Sequence, residues 1–526
     1  MSKVDPIKLE VIRNRFISAV REMWVALYKT AYSSIIYEVK DYANVIMDRN
    51  VRLVAQAEGI PIFNGALLPA VKAAIEKFGI DGFTDGDVII SNDPYTAGGT
   101  HKNDVNVIVP VFWQQELAFF AASKAHWGDI GGKDPGSWSP DCATTFQEGV
   151  SIPPVKIFRE GKTDKGVMDL IFANVRMPEA QKGDFRAQIA ACSTGKRRIL
   201  EILDRYGAEI TQQYVDELIS HTERMVREEI DRYPDGTYVD EDYQDPIEDE
   251  TPVKIRLETT VKGSDLTFDF TGSSDQGPFG GNNMSYAVTL GSTMLGVKCM
   301  TDPTLPPNHG FLNPVKISTR KGSCVDTIPP AAQTVGLCNV ARSVIELVIR
   351  TLSQALPERA IAGTFGGCNA MAIGGYDIER NRPYIHFMPY SGSWGARATK
   401  DGLNAVCSIV NGDQHNVPCE FIETRYPLLV ERYCLRENSG GAGQFRGGLG
   451  LTTDYRLLKG DAVVSCGMDR SYFAPPGIFN GKEGAPNVLL IVDPTGKETE
   501  ASRAGGVLVK EGSLISNNTG GSGGYG

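Results

Sequence analysis

The chain has 526 residues, of which 41% are hydrophobic and 22% are charged, values that are ordinary for a globular protein of about two to four domains. The formal net charge of −11, without a basic stretch interleaved with aromatic residues, excludes the usual kind of nucleic-acid-binding protein. There is no run of about 18 apolar residues and no apolar signal segment at Met1–Pro6, so we predict a cytoplasmic protein without membrane contact.

The first 235 residues are predicted to form a domain of helices and short strands. Asp5-Pro6 starts a helix, because Asp is a good N-cap and Pro fits the first helical position, and apolar residues recur at helical spacing to about residue 33. Residues 34–48 alternate as in two short strands around Asp41. The remaining predicted elements of this half are a strand at 53–56, a helix at 66–78, a strand at 88–90, and two long helices at 184–207 and 211–232.

The second half, from a boundary at Pro234-Asp235-Gly236, is predicted to be β-rich and glycine-rich. Its acidic run, 240–250, is predicted to be solvated surface, and its helices to be limited to about 287–299 and 341–355. The fold class is therefore α+β and multidomain: a helical and mixed half with the metal site, residues 1–235, is followed by a β-rich half, residues 236–526.

Glycine is densest in residues 439–450 and 519–526. The first segment lacks the G-x-x-x-x-G-K-[ST] order of a phosphate-binding loop, so we predict tight turns of a β-rich domain there. The second segment is predicted to be either a flexible tail or a contact between chains. The ten cysteines form no C-x-x-C pair, a pattern typical of reduced thiols rather than of a disulfide framework or structural zinc site.

The candidate reactive centre lies between Ser91 and Gly132. His101 and Asp104 form an H-x-x-D pair, and His126 follows 22 residues after the aspartate. These three side chains are of the types that bind a divalent metal, and the glycines around them allow the backbone to approach an ion or small substrate closely. The alternative is that both histidines are ordinary surface or core residues, and spacing alone does not decide between the two.

Taken in order along the chain, the motifs resemble those of the hydantoinase B family, whose members include 5-oxoprolinase, caprolactamase, and the acetone and acetophenone carboxylases. The resemblance covers nearly the whole length. It is carried by Asn92-Asp93-Pro94-Tyr95, Gly98-Gly99-Thr100-His101 with Asp104, His126 with Asp129-Ile130-Gly131-Gly132, Pro135-Gly136-Ser137, Glu148-Gly149 with Ile152-Pro153-Pro154-Val155-Lys156, Asn174-Val175-Arg176-Met177-Pro178, Gly183-Asp184, Asp269-Phe270-Thr271-Gly272, and Ser439-Gly440-Gly441-Ala442-Gly443 with Arg446-Gly447-Gly448-Leu449-Gly450.

The resemblance implies one divalent metal, held by Asp41, His101, Asp104 and His126. Asp41 matches the aspartate that ends an E-x-x-D segment of the family. Zinc is the favoured metal, and manganese stays open because two carboxylates also suit it. His101, His126 and Asp129 are the implied catalytic residues; Asp129 is predicted either to orient an imidazole N–H or to cap a glycine turn.

Two departures from the family pattern leave the substrate open, since Phe63 and Trp127 stand where many relatives have histidine. The resemblance further implies that ATP binds to a separate hydantoinase A-type subunit, in a hetero-oligomer with paired copies of each subunit. The partner would phosphorylate a small-molecule substrate on an amide or enolate oxygen, and that substrate would then react at the metal of this chain.

Three hypotheses follow from the resemblance. The first is the metal-containing subunit of an ATP-dependent cyclic-amide hydrolase, of the hydantoinase, 5-oxoprolinase or lactamase type. The second is a subunit of an ATP-dependent ketone carboxylase. The third is a non-catalytic scaffold that supports the partner.

Overall fold

The computed structural model describes residues 4–248 and 251–526, and it has the expected mixed α+β architecture. In the first half the helices are α1 (Pro6–Thr30), α2 (Ser34–Tyr37), α3 (Pro61–Phe78), α4 (Lys165–Phe172), α5 (Pro178–Tyr206) and α6 (Ala208–Ile230). The strands of this half are β1 (Tyr42–Asp48), β2 (Leu53–Gln56), β3 (Val88–Ser91), β4 (Asp104–Trp113), β5 (Glu116–His126), β6 (Val155–Arg159) and β7 (Lys162–Thr163).

These strands form one antiparallel sheet in the order β2-β1-β5-β4-β3-β6-β7. One face of the sheet packs on α3, through residues such as Val45 and Ile108, and the other packs on α1 and α5. Because both faces are covered, β4 and β5 are buried along most of their length and read as continuous apolar runs. The central strands β4 and β5 therefore hold the residues at their ends in fixed positions.

The segment before Asp41 differs from the prediction of two short strands. Residues 34–37 form one helical turn, α2, and only β1 is a strand. The carboxylate of Asp184, on α5, accepts hydrogen bonds from the backbone N–H groups of Tyr32 (2.8 Å) and Ser33 (3.0 Å) and thereby holds the start of this turn. A partner 151 residues away fixes the local conformation, so the local alternation pattern was misleading.

In the second half the helices are α7 (Tyr286–Met300), α8 (Gly336–Ala355) and α9 (Cys419–Arg425). The strands are β8 (Gly236–Tyr243), β9 (Lys254–Lys262), β10 (Asp265–Asp269), β11 (Val315–Ser318), β12 (Met371–Asp377), β13 (Arg382–Met388), β14 (Gly392–Ser393), β15 (Asn404–Val406), β16 (Leu428–Leu435), β17 (Leu451–Leu457), β18 (Ala462–Gly467), β19 (Val488–Val492), β20 (Glu498–Glu500), β21 (Arg503–Val509) and β22 (Leu514–Asn518). They form sheets β11-β10-β9-β8, β13-β12-β18-β21, β14-β15 and β16-β17-β22-β19-β20.

The two halves share a continuous apolar core. Helix α3 packs on α7 where Gly65 meets Gly291, and a Cβ on Gly65 would lie 2.7 Å from the Gly291 Cα. The domain boundary at 235/236 stays a prediction, because the two halves share this core and pack against each other through contacts such as those between α3 and α7. Within the described ranges, the longest apolar stretch of any helix falls short of what a membrane crossing requires.

The prediction that the acidic run is solvated surface is wrong for two of its acidic residues. Asp242 and Asp245 are buried, and Asp245 accepts hydrogen bonds from the backbone N–H groups of residues 471–473 at 2.6–3.1 Å. The run lies on β8 and the loop after it, whose inner residues face α8 and distant parts of the chain. Residues 249 and 250 of the run lie outside the described part of the structure.

Asp242 belongs to a buried charge cluster that joins β8, α8 and the loop after β18. Arg342 contacts Asp469 at 2.8 Å and Glu346 at 3.2 Å, and it also pairs with Asp242. Arg470 contacts Glu346 at 2.8 Å and Asp242 at 3.2 Å. Burial alone would raise the pKa of Asp242, but the two arginines hold it below its usual value, so the carboxylate stays ionised.

Residues 519–526 are not the flexible tail that was one of the two alternatives predicted for them, because they are hydrogen-bonded within the chain. Residues 519–524 are buried between the glycine-rich segments 439–450 and 476–484. The three segments are joined by backbone hydrogen bonds, such as Ser522 N–H to Gly448 O at 3.1 Å and Gly524 N–H to Lys482 O at 2.9 Å. Only glycine permits this close approach, since a Cβ on Gly447 would lie 1.8 Å from the Ser522 carbonyl oxygen.

Gly447→Ala is therefore expected to lower the free energy of unfolding by about 1–3 kcal/mol, the usual cost of forcing extra atoms into a packed interior. The backbone of residue 522 would have to move, because the clash is with a carbonyl group and not with a flexible side chain. Urea unfolding measures the change. Gly166→Ala, on α4, is the control: its nearest neighbour would be Asp164 Oδ1 at 3.5 Å, so equal losses for the two variants would contradict the packing argument.

Candidate metal centre

The loop between β3 and β4 carries the candidate ligand His101 and is held in place by Asn92. The Asn92 amide donates hydrogen bonds to the carbonyl oxygens of Lys102 (2.7 Å) and Val150 (2.9 Å), and its side-chain oxygen accepts one from Ile152 N–H (2.6 Å). The loop folds back on itself so closely that a Cβ on Gly99 would lie 2.3 Å from the Asn92 carbonyl oxygen. His101 is thus presented by a loop with a fixed shape.

Strand pairing brings the remaining candidates to the same place. Asp104 begins β4 and His126 ends β5, and the two residues are direct partners in the antiparallel register. The next neighbour is Asp41, whose carbonyl oxygen accepts a hydrogen bond from His126 N–H at 3.1 Å. Residues 22 positions apart in the chain therefore face each other across one strand pair.

His101, Asp104 and His126 form one buried cluster, and one ligand atom from each lies within 4.8 Å of the others. Asp104 Oδ1 is 3.0 Å from His101 Nε2 and 3.3 Å from His126 Nδ1. Nevertheless Asp104 Oδ1, both His101 nitrogens and His126 Nε2 make no properly directed hydrogen bond within the described structure. Buried polar atoms are nearly always hydrogen-bonded, so this group of unsatisfied atoms fits a cation that is shared between them.

The charges of the cluster reinforce one another. Burial alone would raise the pKa of Asp104, but His101 and His126 hold it below its usual value. Its second oxygen, Oδ2, accepts a short hydrogen bond from the Thr100 hydroxyl. Asp104 is thus kept ionised and oriented, which is the state that a metal ligand needs.

Asp41 lines the same cavity as His101 and His126 but is not part of the three-residue cluster. Burial raises the pKa of Asp41 to about 7, with His126 lowering it and Asp104 raising it. A nearby cation would relieve the repulsion between the carboxylates of Asp41 and Asp104. Its position therefore supports Asp41 as a further ligand, as the resemblance implies, although its carboxylate does not converge with the other three here.

Asp41→Asn is expected to weaken zinc affinity at least about tenfold. Mutation of a residue that only supports a metal ligand already costs about that much, and loss of a ligand itself costs more. Competition with a chromophoric chelator measures the affinity. Glu38→Gln is a matched control, since it removes a carboxylate from the same segment, outside the cavity lining. If both variants keep the parental affinity, Asp41 is not a ligand.

Two aromatic residues, which the sequence patterns did not single out, fix the imidazoles. Phe387, on β13, stacks on His126 with ring centroids 4.7 Å apart and an interplanar angle of 18°. Trp138 meets His101 edge to face, at 5.8 Å and 84°. No local signal pointed to Phe387, because it comes from the other half of the chain. The second half thus completes the wall of a site whose candidate ligands all belong to the first.

Lys124 is a further residue that sequence reasoning missed. Its side chain is fully buried on β5, and Nζ lies 3.5 Å from the Thr100 hydroxyl that binds Asp104. Burial lowers the pKa of Lys124 to about 8, while Asp104 raises it. A lysine within the apolar run of β5, two residues before His126 and so on the same face of the sheet, is the signal that could have found it.

Asp129 lies close in sequence but is committed to other partners. Its carboxylate binds the Arg176 guanidinium at 2.7 Å and accepts hydrogen bonds from the backbone N–H groups of Arg176 (2.9 Å) and Gly131 (3.0 Å). These contacts correspond to the turn-capping alternative rather than to an imidazole contact. Trp127 likewise points away, donating its indole N–H to Gln188 at 3.0 Å, whereas Phe63 lines the cavity.

Comparison with known proteins places these features in context. Residues 5–526 match the family model described as Hydantoinase B/oxoprolinase. The chain is 34% identical over 510 residues to one chain of the putative D-/L-hydantoinase of Pseudomonas sp. strain NS671, covering 94% of this chain and 85% of that protein. The crystal structure of an ATP-dependent caprolactamase from Pseudomonas jessenii has a TM-score of 0.91 at 29% identity, covering 100% of this chain and 92% of that chain. A nucleotide-free acetone carboxylase structure has a TM-score of 0.90 at 20% identity, covering 99% of this chain and 76% of that chain, which shows a shared fold alone.

Proposed function

Because the chain belongs to the hydantoinase B/oxoprolinase family, we propose that it is the metal-containing subunit of an ATP-dependent enzyme that hydrolyses a cyclic amide. The observation that carries the proposal is the buried cluster of His101, Asp104 and His126, with its unsatisfied polar atoms. The hydantoinase and caprolactamase relatives support a hydantoin or lactam ring as the substrate class, and the family description adds 5-oxoproline.

The donor atoms fit one divalent metal. Two imidazoles and the Asp104 carboxylate, joined by Asp41, would give the nitrogen and oxygen ligand set that zinc takes, and manganese is the alternative. When bound, the cation would supply Lewis acidity to the reacting oxygen of the activated substrate. The Thr100 hydroxyl, which donates a hydrogen bond to Asp104 Oδ2, would hold Asp104 in position. Lys124 would support that hydroxyl, since its Nζ lies 3.5 Å away.

The walls of the cavity would keep bulk water away from the reacting atoms. The cavity has a volume of about 20 Å³ and is lined by apolar side chains that include Phe63, Trp138 and Phe387. That volume admits about one water molecule, so a substrate ring enters only if wall side chains move. Phe387 also lines a neighbouring pocket with Tyr37 and Tyr426, and it therefore separates the candidate metal centre from that pocket.

ATP is proposed to bind to a second subunit of the hydantoinase A type. The sequence contains no G-x-x-x-x-G-K-[ST] order, and the hydantoinase relative is named as one subunit of its enzyme, which supports a division of labour between two chains. The partner would phosphorylate the amide oxygen, which makes the ring carbon a better electrophile. We propose a hetero-oligomer with paired copies of each subunit.

The test is to purify the chain with its partner and to supply ATP with hydantoins, lactams and 5-oxoproline. We expect ADP and a ring-opened product in equal amounts, together with zinc or manganese in the purified complex. Absence of both ADP and ring-opened product for the whole panel would contradict the proposal. A parallel reaction with acetone or acetophenone and bicarbonate tests the carboxylase alternative, for which bicarbonate-dependent ATP turnover is the signature.

A further inference from the structure

Two cysteines from separate elements meet in the wall of the candidate metal centre. Cys338 lies in the first turn of α8, and Cys368 lies in the segment before β12. Their sulphur atoms are 2.7 Å apart, and both side chains are buried and free of disulfides. Both line the same cavity as Asp41, His101 and His126. The proposed ring-opening reaction uses neither thiol.

The contact allows a covalent bond with little movement. Two sulphur atoms this close, one on the first turn of α8 and one on the segment before β12, are within reach of a bond once their side chains rotate. Both sulphurs border a cavity that admits about one water molecule, so hydrogen peroxide, which is larger than water, reaches them only when wall side chains move. The pair therefore has a suitable geometry, and movement of the cavity wall would give a small oxidant access to it.

We propose that Cys338 and Cys368 are an oxidation site, which an oxidant of the peroxide class converts into an intramolecular disulfide. One sulphur attacks the peroxide O–O bond, giving a sulfenic acid and releasing one water. The second sulphur then attacks the first and displaces a second water as the S–S bond forms. Two thiols and one peroxide thus become one disulfide and two waters, with two electrons passing from sulphur to oxygen.

The disulfide would change the wall of the metal cavity. It would link the start of α8 covalently to the segment before β12. The part of the cavity wall that these two segments form would then be less free to move. Burial raises the pKa of the Cys338 thiol well above its usual value, which keeps the thiol protonated and makes oxidation slow. The site would therefore respond to sustained oxidant rather than to brief exposure. This consequence for the metal centre rests on the proposed function, whereas disulfide formation does not.

Peptide mapping of the full chain under non-reducing conditions tests the proposal. After treatment of the reduced protein with hydrogen peroxide, we expect a cross-linked peptide that contains Cys338 and Cys368 and disappears with dithiothreitol. Cys338→Ser and Cys368→Ser should each abolish the cross-link. Cys192→Ser is the matched control: Cys192 is also buried, its thiol contacts the Val107 carbonyl oxygen, and its loss should leave the cross-link unchanged.

No cross-link in the parental chain, or a cross-link of either cysteine to Cys466 on the neighbouring strand β18, would overturn the proposal. The map of the parental chain decides this point even if the serine variants fail to fold. The second readout is zinc uptake by the metal-free chain, which should fall about tenfold on oxidation and recover on reduction. Unchanged uptake would overturn the link to the metal centre. A reduced chain that takes up no zinc would instead count against the proposed function, while the peptide map still decides whether the disulfide forms.

Discussion

Replacing His101 with alanine is expected to abolish stoichiometric zinc binding and to lower ATP-dependent ring opening at least about a hundredfold. Loss of a group that merely supports a metal ligand costs about 10–100-fold in affinity or activity, and His101 is proposed to bind the metal itself. Its two ring nitrogens have no directed hydrogen bond in the described structure, so the substitution breaks no such bond and removes the imidazole that lies 3.0 Å from Asp104 Oδ1. Metal analysis and product formation with the partner subunit measure the two effects.

The matched control for this experiment is His221→Ala, on the exposed surface of α6. It should keep the parental zinc content and activity. Circular dichroism of both variants separates loss of the metal from loss of the fold. If His101→Ala retains full activity and the parental complex contains no metal, the chain is a scaffold for its partner, and the metal-centre proposal is wrong.

The second large effect is expected for Arg342→Met, in the buried charge cluster of Arg342, Arg470, Asp242, Glu346 and Asp469. Removing one arginine leaves three buried carboxylates with Arg470 as their main remaining cation. Truncating one partner of a buried ion pair costs about 3–5 kcal/mol, because the remaining charge cannot return to water. We expect the free energy of unfolding, measured as the first transition in urea, to fall by that amount.

Arg13→Met provides the comparison, since Arg13 pairs with Glu10 at 3.1 Å on the exposed face of α1. An exposed pair of this kind contributes about 0–1 kcal/mol, so the two variants should differ several-fold in their effect. The predicted loss for Arg342→Met does not depend on the metal. If the two variants lose the same stability, the buried cluster is not the support that links β8, α8 and the loop after β18.

The long helices of the first half could be predicted from local patterns, whereas most strands of the second half were predicted only as a β-rich composition. The long helices α1, α5 and α6 carry apolar residues at helical spacing, and α1 begins at the predicted Asp5 cap, whose carboxylate accepts a hydrogen bond from Ile7 N–H at 2.9 Å. The strand β3 (Val88–Ser91) lies where the strand at 88–90 was predicted. These signals are local, because capping and amphipathic spacing involve residues within about four positions of one another.

The elements that sequence reasoning missed depend on distant partners. Asp184 fixes the helical turn before Asp41. Arg342 forms an ion pair with Asp242, which belongs to the acidic run that was predicted to be solvated. The same distinction holds at the candidate site. His101, Asp104 and His126 could be found because they lie on one loop and one strand pair, whereas Phe387 and the cysteine pair reach the cavity from the second half.

The three glycine-rich segments, which are hydrogen-bonded to one another, determine the order in which this part of the protein folds during synthesis. Residues 439–450 and 476–484 are synthesised before residues 519–526, so the space between them stays empty until residues 519–526 have been translated. During that interval their unpaired amide and carbonyl groups are available to another nascent chain, as the groups of an open sheet edge are. The β-rich half is therefore expected to finish folding only after synthesis of residue 526, and crowding of chains during rapid translation is the condition under which it would aggregate.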